Sequence, residues 1–80
     1  MAPPAALPAG VRGVVAVINT AENVVVLDFG RNEIPSVHSQ LSVYRDGVVV
    51  GTVLITDPVK PPLATADVLS GTLQRGDVIR

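Results

Sequence analysis

The chain reads as an all-β protein, a small barrel of five or six strands built from hairpins, and three observations predict it. Valine makes up about a fifth of the residues, while the aromatics are limited to Phe29 and Tyr44, a balance that favours strands packed by aliphatic side chains. Runs rich in β-branched residues recur at short intervals between clusters of Gly, Pro, Asn and Asp. Asp46-Gly47 stands between two such runs, and this pair accepts the positive φ that a two-residue hairpin turn needs at both central positions. Several short strands leave edges to manage, and closing the sheet on itself removes them.

Residues 11–18 form the first predicted strand, with Gly13 near its start, and Asn19-Thr20-Ala21-Glu22-Asn23 has the small polar residues of a turn. Residues 24–29 form the second strand, joined to the first by a hairpin loop of about four or five residues. The run Val24-Val25-Val26-Leu27 shows no alternation, which implies burial on both faces or one face covered by a partner. Its β-branched content and short length favour strand over helix. Residues 30–39 form the longest irregular connection, where Pro35 forbids an ordinary helix interior and residues 36–39 have room for a short helical turn.

Residues 41–45 and 48–56 are the third and fourth strands. Counting outward from the turn pairs Arg45 with Val48, Tyr44 with Val49 and Val43 with Val50. Val53 and Ile55 then fall on the opposite face from Val50. A bulge at Gly51 reconciles them by inserting one residue and bending the strand, as small barrels do at corners. Asp57-Pro58 ends the fourth strand, and Lys60-Pro61-Pro62 makes an extended connection. Residues 63–69 suit a strand or a helical turn, with strand preferred. Residues 70–76 are a turn region and residues 77–80 a short closing strand.

Eighty residues with seven prolines and seven glycines are expected to divide into a Pro/Ala-rich arm or linker at 1–10 and a single domain at 11–80. A core of that size rarely supplies more than about 3–5 kcal/mol of net stability. The chain has no cysteine, so neither a disulfide nor a thiolate metal site adds to it, and self-association is the remaining common device. Six Lys/Arg stand against seven Asp/Glu. The basic residues Arg12, Arg31, Arg45, Lys60, Arg75 and Arg80 are scattered rather than clustered, which argues against nucleic-acid binding. No apolar run approaches the ~20 residues of a membrane-spanning helix. Residues 1–10 lack the basic start and apolar centre of an export signal.

Gln74-Arg75-Gly76-Asp77-Val78-Ile79 resembles the glycine-aspartate box of cradle-loop and SH3-like small β-barrels. In such a box Gly supplies an unusual backbone angle and Asp accepts bonds from nearby amides. Val37-His38-Ser39-Gln40-Leu41-Ser42-Val43 sits in the equivalent place in the first half, with Ser39-Gln40 where Gly-Asp would stand. This pattern suggests a degenerate duplication of about 35–40 residues. The order Gly13-Val-Val-Ala-Val, Val24-Val-Val-Leu-Asp-Phe-Gly30, Val43-Tyr-Arg-Asp-Gly47, Val50-Gly51-Thr-Val and Ala64-Thr-Ala66-Asp-Val continues from 71 to 78. It is similar to a bacterial barrel module of uncharacterised, envelope-associated proteins of the verrucomicrobial and planctomycetal type. It is also similar to the C-terminal barrel of the flagellar assembly protein T family. The chain departs from that pattern at residues 32–40, where those modules carry a Gly-rich turn. The resemblance implies a non-enzymatic barrel used for assembly or attachment, in the cell envelope or outside the cell.

No motif in the chain supplies catalysis. His38 lies beside Ser36 and Ser39, but nucleophilic catalysis also needs an orienting carboxylate and an oxyanion site, and a solvated loop histidine explains it. Asp28, Glu33, Asp46, Asp57, Asp67 and Asp77 are dispersed, without the spacing of a calcium loop, and one His without Cys makes no zinc site. Asp46 and Asp77 are explained as turn acceptors. The segments 10–13 and 71–76 lack the context of phosphate loops. No cofactor or metal is expected.

The functional expectation is a structural or assembly module that self-associates, as a homo-oligomer or filament, through aliphatic strand surfaces or edges. Its candidate surface is Val24, Val26, Val48, Val49 and Val50, all low in charge and free of proline. Its structural turns are Asp46, Gly47, Gly51, Gly76 and Asp77. The alternative is a module of a larger envelope protein that binds a partner protein, glycan or cell-wall component through loops 30–40 and 57–62.

Overall fold

The computed structural model describes residues 11–80, and the expected arm at 1–10 lies outside them. Six strands follow one another: β1 (Gly13–Asn19), β2 (Val24–Asp28), β3 (Gln40–Arg45), β4 (Val48–Lys60), β5 (Leu63–Gly71) and β6 (Val78–Ile79). They close into a barrel in the order β1-β2-β5-β4-β3-β6, and every neighbouring pair is antiparallel. The all-β barrel expected from the sequence is the fold, with six strands.

Alternation sets the inward face of each strand. Val15 of β1, Val25 and Leu27 of β2, Leu41 and Val43 of β3, Val53 and Ile55 of β4, Ala64 and Ala66 of β5 and Ile79 of β6 fill the interior with Phe29 and Leu73. The run Val24–Leu27 is therefore sided by position: Val25 and Leu27 are buried, and Val24 and Val26 lie half-buried on the outer face. The short helical turn expected at 36–39 is a single reverse turn, in which the Ser39 N–H donates to the Ser36 carbonyl at 3.0 Å.

The β3–β4 hairpin turns at Asp46 (φ 53°) and Gly47 (φ 79°), with Arg45 opposite Val48 and Tyr44 opposite Val49. The register then breaks, and Val43 faces Gly51 instead of the expected Val50. A bulge is present, but its extra residue is Val50, one position before the expected one. Gly51 returns to register because its role lies on the other side of the strand. A Cβ on Gly51 would strike the Ser70 carbonyl oxygen and Leu73 Cδ2, and one on Gly71 (φ 84°) would strike the Val50 carbonyl oxygen and the Gly51 Cα. The two glycines form one cross-strand pair, where β4 and β5 approach too closely for side chains.

β4 does not end at Asp57-Pro58 but runs on to Lys60. Thr56 faces Thr65 and Val59 faces Ala64, so Asp57 and Pro58 bulge out of the ladder together. The missing proline N–H is not needed there. Pro61 and Pro62 make the turn to β5, with Lys60 opposite Leu63.

Exchanging β1, β2 and β3 with β4, β5 and β6 maps the ring order onto itself, and backbone bonds repeat across this internal twofold. The His38 N–H donates to the Ile55 carbonyl at 2.7 Å, and the Ile55 N–H donates to the Ser39 carbonyl at 2.9 Å. Likewise the Gly76 N–H donates to the Val15 carbonyl at 2.9 Å, and the Val15 N–H donates to the Asp77 carbonyl at 2.8 Å. His38 (φ 76°) takes the place of Gly76 (φ 92°). The counterpart of Gly76-Asp77 is thus His38-Ser39, one residue before the expected Ser39-Gln40, because backbone angle and not residue type defines the position.

Two outcomes follow from these backbone positions. His38 pays the left-handed cost that Gly76 avoids, so His38→Gly should stabilise the fold by about 0.5–1 kcal/mol, read as a higher urea midpoint at unchanged slope. Gly71→Ala should destabilise by at least about 2 kcal/mol, since it adds a clash to a strained backbone angle. Equal midpoints for wild type and Gly71→Ala would remove the close-crossing account.

Candidate functional site

The chain's only ion pair among the described residues ties its two predicted turn sites together. Asp77 is 4% exposed and accepts from Arg45 Nε and Nη2 at 2.8 Å each and from the Gln74 N–H at 2.7 Å. Arg45 flanks the Asp46-Gly47 turn, and its Nη2 also donates to the Thr72 carbonyl at 3.2 Å. The Arg45 hydrogen bonds hold the Asp77 carboxyl below its ordinary value of 3.8, against the opposing effect of burial and with help from the Gln74 N–H. The same pair raises the Arg45 guanidinium. Both carboxylate oxygens are occupied, so Asp77 serves as a structural clamp. Sequence reasoning assigned Asp77 a turn role and missed Arg45. The available signal was an acid set between Gly76 and an apolar strand, which needs a cation when buried.

The candidate valines fall into two groups on strands that are not neighbours. Val24 and Val26 lie on the outer face of β2, while Val48, Val49 and Val50 lie at the tip of the β3–β4 hairpin. Around Val26 the register adds Val17, directly opposite on β1. Val17 is outward because Ala16 is a bulge residue between the Val15–Leu27 and Val17–Val26 pairs, which reverses the parity that would otherwise place it inside. Around Val49 the register adds a longer row. Val49 faces Tyr44, Tyr44 faces Val78, and Val78 faces Val14, so one outer apolar row crosses four strands. Val48 (64%), Val17 (55%), Val49 (51%), Leu69 (47%) and Leu63 (41%) are the most exposed large apolar side chains. Leu69 is the unpaired residue of a bulge in β5. Val17, Leu63 and Leu69 were missed because bulges and burial by neighbours decide their exposure.

Shallow depressions mark the surface of the described residues. The loop after β2 forms one of about 370 Å³ lined by Arg12, Asn32, Glu33, Ile34, Pro35 and Ser36. Asn32 shapes it by donating from Nδ2 to the Arg12 carbonyl at 3.0 Å. A second, of about 200 Å³, lies between Ile18, Asn19 and Thr20 on one side and Gly71, Thr72 and Leu73 on the other. A third, of about 180 Å³, is lined by Val26, Pro58, Lys60, Leu63, Ala64 and Thr65. His38 is exposed. Among the described residues no group of three or more His, Asp or Glu side chains is placed to hold a metal ion. No helix among them is long and apolar enough to cross a membrane.

Comparison with known proteins finds no matching family model, no matching curated protein and no matching solved structure.

The clamp has a definite pH signature. A carboxyl lowered on folding contributes stability that is fully present above its unfolded value near 3.8 and is lost as pH falls through the lowered folded value. Acid titration of stability should therefore steepen below about pH 4, and Asp77→Asn should flatten that limb. Asp77→Ala should cost on the order of 2 kcal/mol at neutral pH through lost charge-assisted hydrogen bonds. An unchanged acid limb in Asp77→Asn would show that other carboxylates govern the transition.

Proposed function

We propose that this barrel is a non-enzymatic structural module that works by associating with copies of itself through its outer apolar surface. The observation that carries the reading is the row Val49, Tyr44, Val78 and Val14, flanked by the exposed Val48. A surface of that kind on so small a domain is stabilised when a partner removes it from water, at roughly 25 cal/mol per Å² before the costs of association. Mass action then adds stability that the small core lacks. The resemblance of residues 11–80 to envelope-associated assembly barrels points the same way. The near balance of charge, with a net charge of −1, leaves little repulsion between copies.

A second reading rests on a different observation. The depression beside Arg12, Asn32, Glu33 and Ser36 mixes charge, amide and hydroxyl groups around Ile34 and Pro35, a composition suited to a polar partner such as a peptide, glycan or wall component. In that reading the barrel stays monomeric, and the loop after β2 and the end of β4 with its turn at Pro61-Pro62 do the binding.

Sedimentation equilibrium over a wide concentration range separates the two. Self-association should raise the apparent mass to twice the chain mass or more, and the rise should survive changes at Arg12 and Glu33. A monomer at every concentration, with capture of a wall or protein partner lost on changing Arg12 and Glu33, would replace the first reading with the second.

A further inference from the structure

We infer that two copies pair edge to edge along Val48-Val49 of β4, antiparallel, about a twofold axis that sets Val49 opposite its own counterpart. This rests on the self-association reading and gives it a geometry. In the closed ring the hairpin ends project past their neighbours, each with one side paired and one side open. β4 projects at both ends, and the two ends are treated differently.

At its far end, the stretch 57–60 meets β5 alone, through Val59 and Lys60, because the ladder to β3 stops at Gln40 opposite Leu54. That stretch carries Asp57, Pro58 and Lys60, the charges and proline by which proteins blunt an open edge. At its near end, Val48 and Val49 pair with β3 alone, because Val50 is the bulge residue whose carbonyl lies against Gly71, and the ladder to β5 begins at Gly51 opposite Gly71. This stretch has neither a charge nor a proline.

The other projecting ends are attended. Val68, where β5 passes the end of β2, donates its N–H to the Asn23 carbonyl at 2.9 Å and accepts from Asn23 Nδ2 at 3.1 Å. The end of β1 is flanked by residues 71–73 across a shallow depression. Among the described residues, Val48–Val49 is the overhang left with an apolar, undefended edge.

A second copy is the occupant that fits it. Antiparallel hydrogen bonds join residues of the same parity when identical edges meet, so the axis passes through a residue pair, and Val49, next after the turn-closing Arg45–Val48 pair, is the overhang residue whose N–H and C=O face away from β3. No charged residue stands between Gly47 and Thr56, so the axis brings no like charges together. Val49 already ends the outer row that begins at Val14. Pairing at Val49 joins that row to its counterpart, making one apolar strip across both barrels in an isologous contact.

The absence of cysteine allows a single-cysteine test. Residues opposite each other in an antiparallel pair have Cα atoms about 4.5–5.5 Å apart, within disulfide reach. Under mild oxidation Val49→Cys should give a disulfide-linked dimer as the dominant species, while Val17→Cys and Leu63→Cys stay at chain mass. Val49→Lys should weaken association at least about tenfold, because two ammonium groups would meet at the axis. In the unsubstituted chain, amide exchange at Val49 should slow with rising concentration, which tests the edge independently of any variant's folding. Association with cross-linking at position 17 or 63 and not 49, or with an unprotected Val49 amide, overturns the edge geometry and leaves the self-association reading standing. A monomer at all concentrations overturns both.

Discussion

Everything in this barrel depends on keeping a two-residue strand in place. β6 fills the gap between β1 and β3, and without it the ring becomes an open sheet with two exposed edges. Two residues of ladder on each side are few, so the segment is secured from outside the strand. The Arg12 N–H donates to the Ile79 carbonyl at 2.7 Å, and the Gly76 and Val15 amides bond across to β1 and the box. Asp77 then fastens the approach to β6 onto the β3–β4 hairpin through Arg45 and pins the turn through the Gln74 N–H. The buried carboxylate is tolerable only because each of its oxygens is satisfied.

The internal twofold shows which parts of the fold are shared scaffold and which have diverged. Hairpin, turn and box recur in both halves with matching backbone bonds. The second box has the glycine and the buried acid, whereas the first holds the same backbone with His38 and Ser39. The first box is supported on its strand side by the reciprocal bonds to Ile55, so it persists without a carboxylate. The two ends of β4 also contrast with each other. A prolyl, charged end and a bare valyl end lie on one strand, and the difference is one of chemistry and not of fold.

Much of the fold was legible because its signals are local. Asp46-Gly47 announces its own turn, and the spacing of β-branched runs announces the strands. Bulge positions were less legible. The residue inserted in β4 is Val50 because Gly51 is held in register by the close approach of Gly71, a fact of the neighbouring strand and not of the local sequence. Ala16 reverses the side on which Val17 falls for the same kind of reason. Arg45 and Asp77 are separated by 32 positions, and no local pattern joins them. For the candidate surface, the sequence could name low-charge valines. Which of them share an outer row depends on the register of four strands.

The placement of the barrel's entry and exit also determines how it responds to force. Arg12 and Arg80 lie side by side, with Arg12 Nη2 donating to the Arg80 carbonyl at 3.3 Å and Gly13 paired with Ile79. Tension applied across those two points pulls β1 and β6 apart at right angles to their length. Their hydrogen bonds then break one after another, as a zipper opens, instead of sharing the load as they would in shear. Mechanical failure therefore begins at the β1–β6 seam. The barrel yields first by peeling its shortest strand and baring the flanks of β1 and β3.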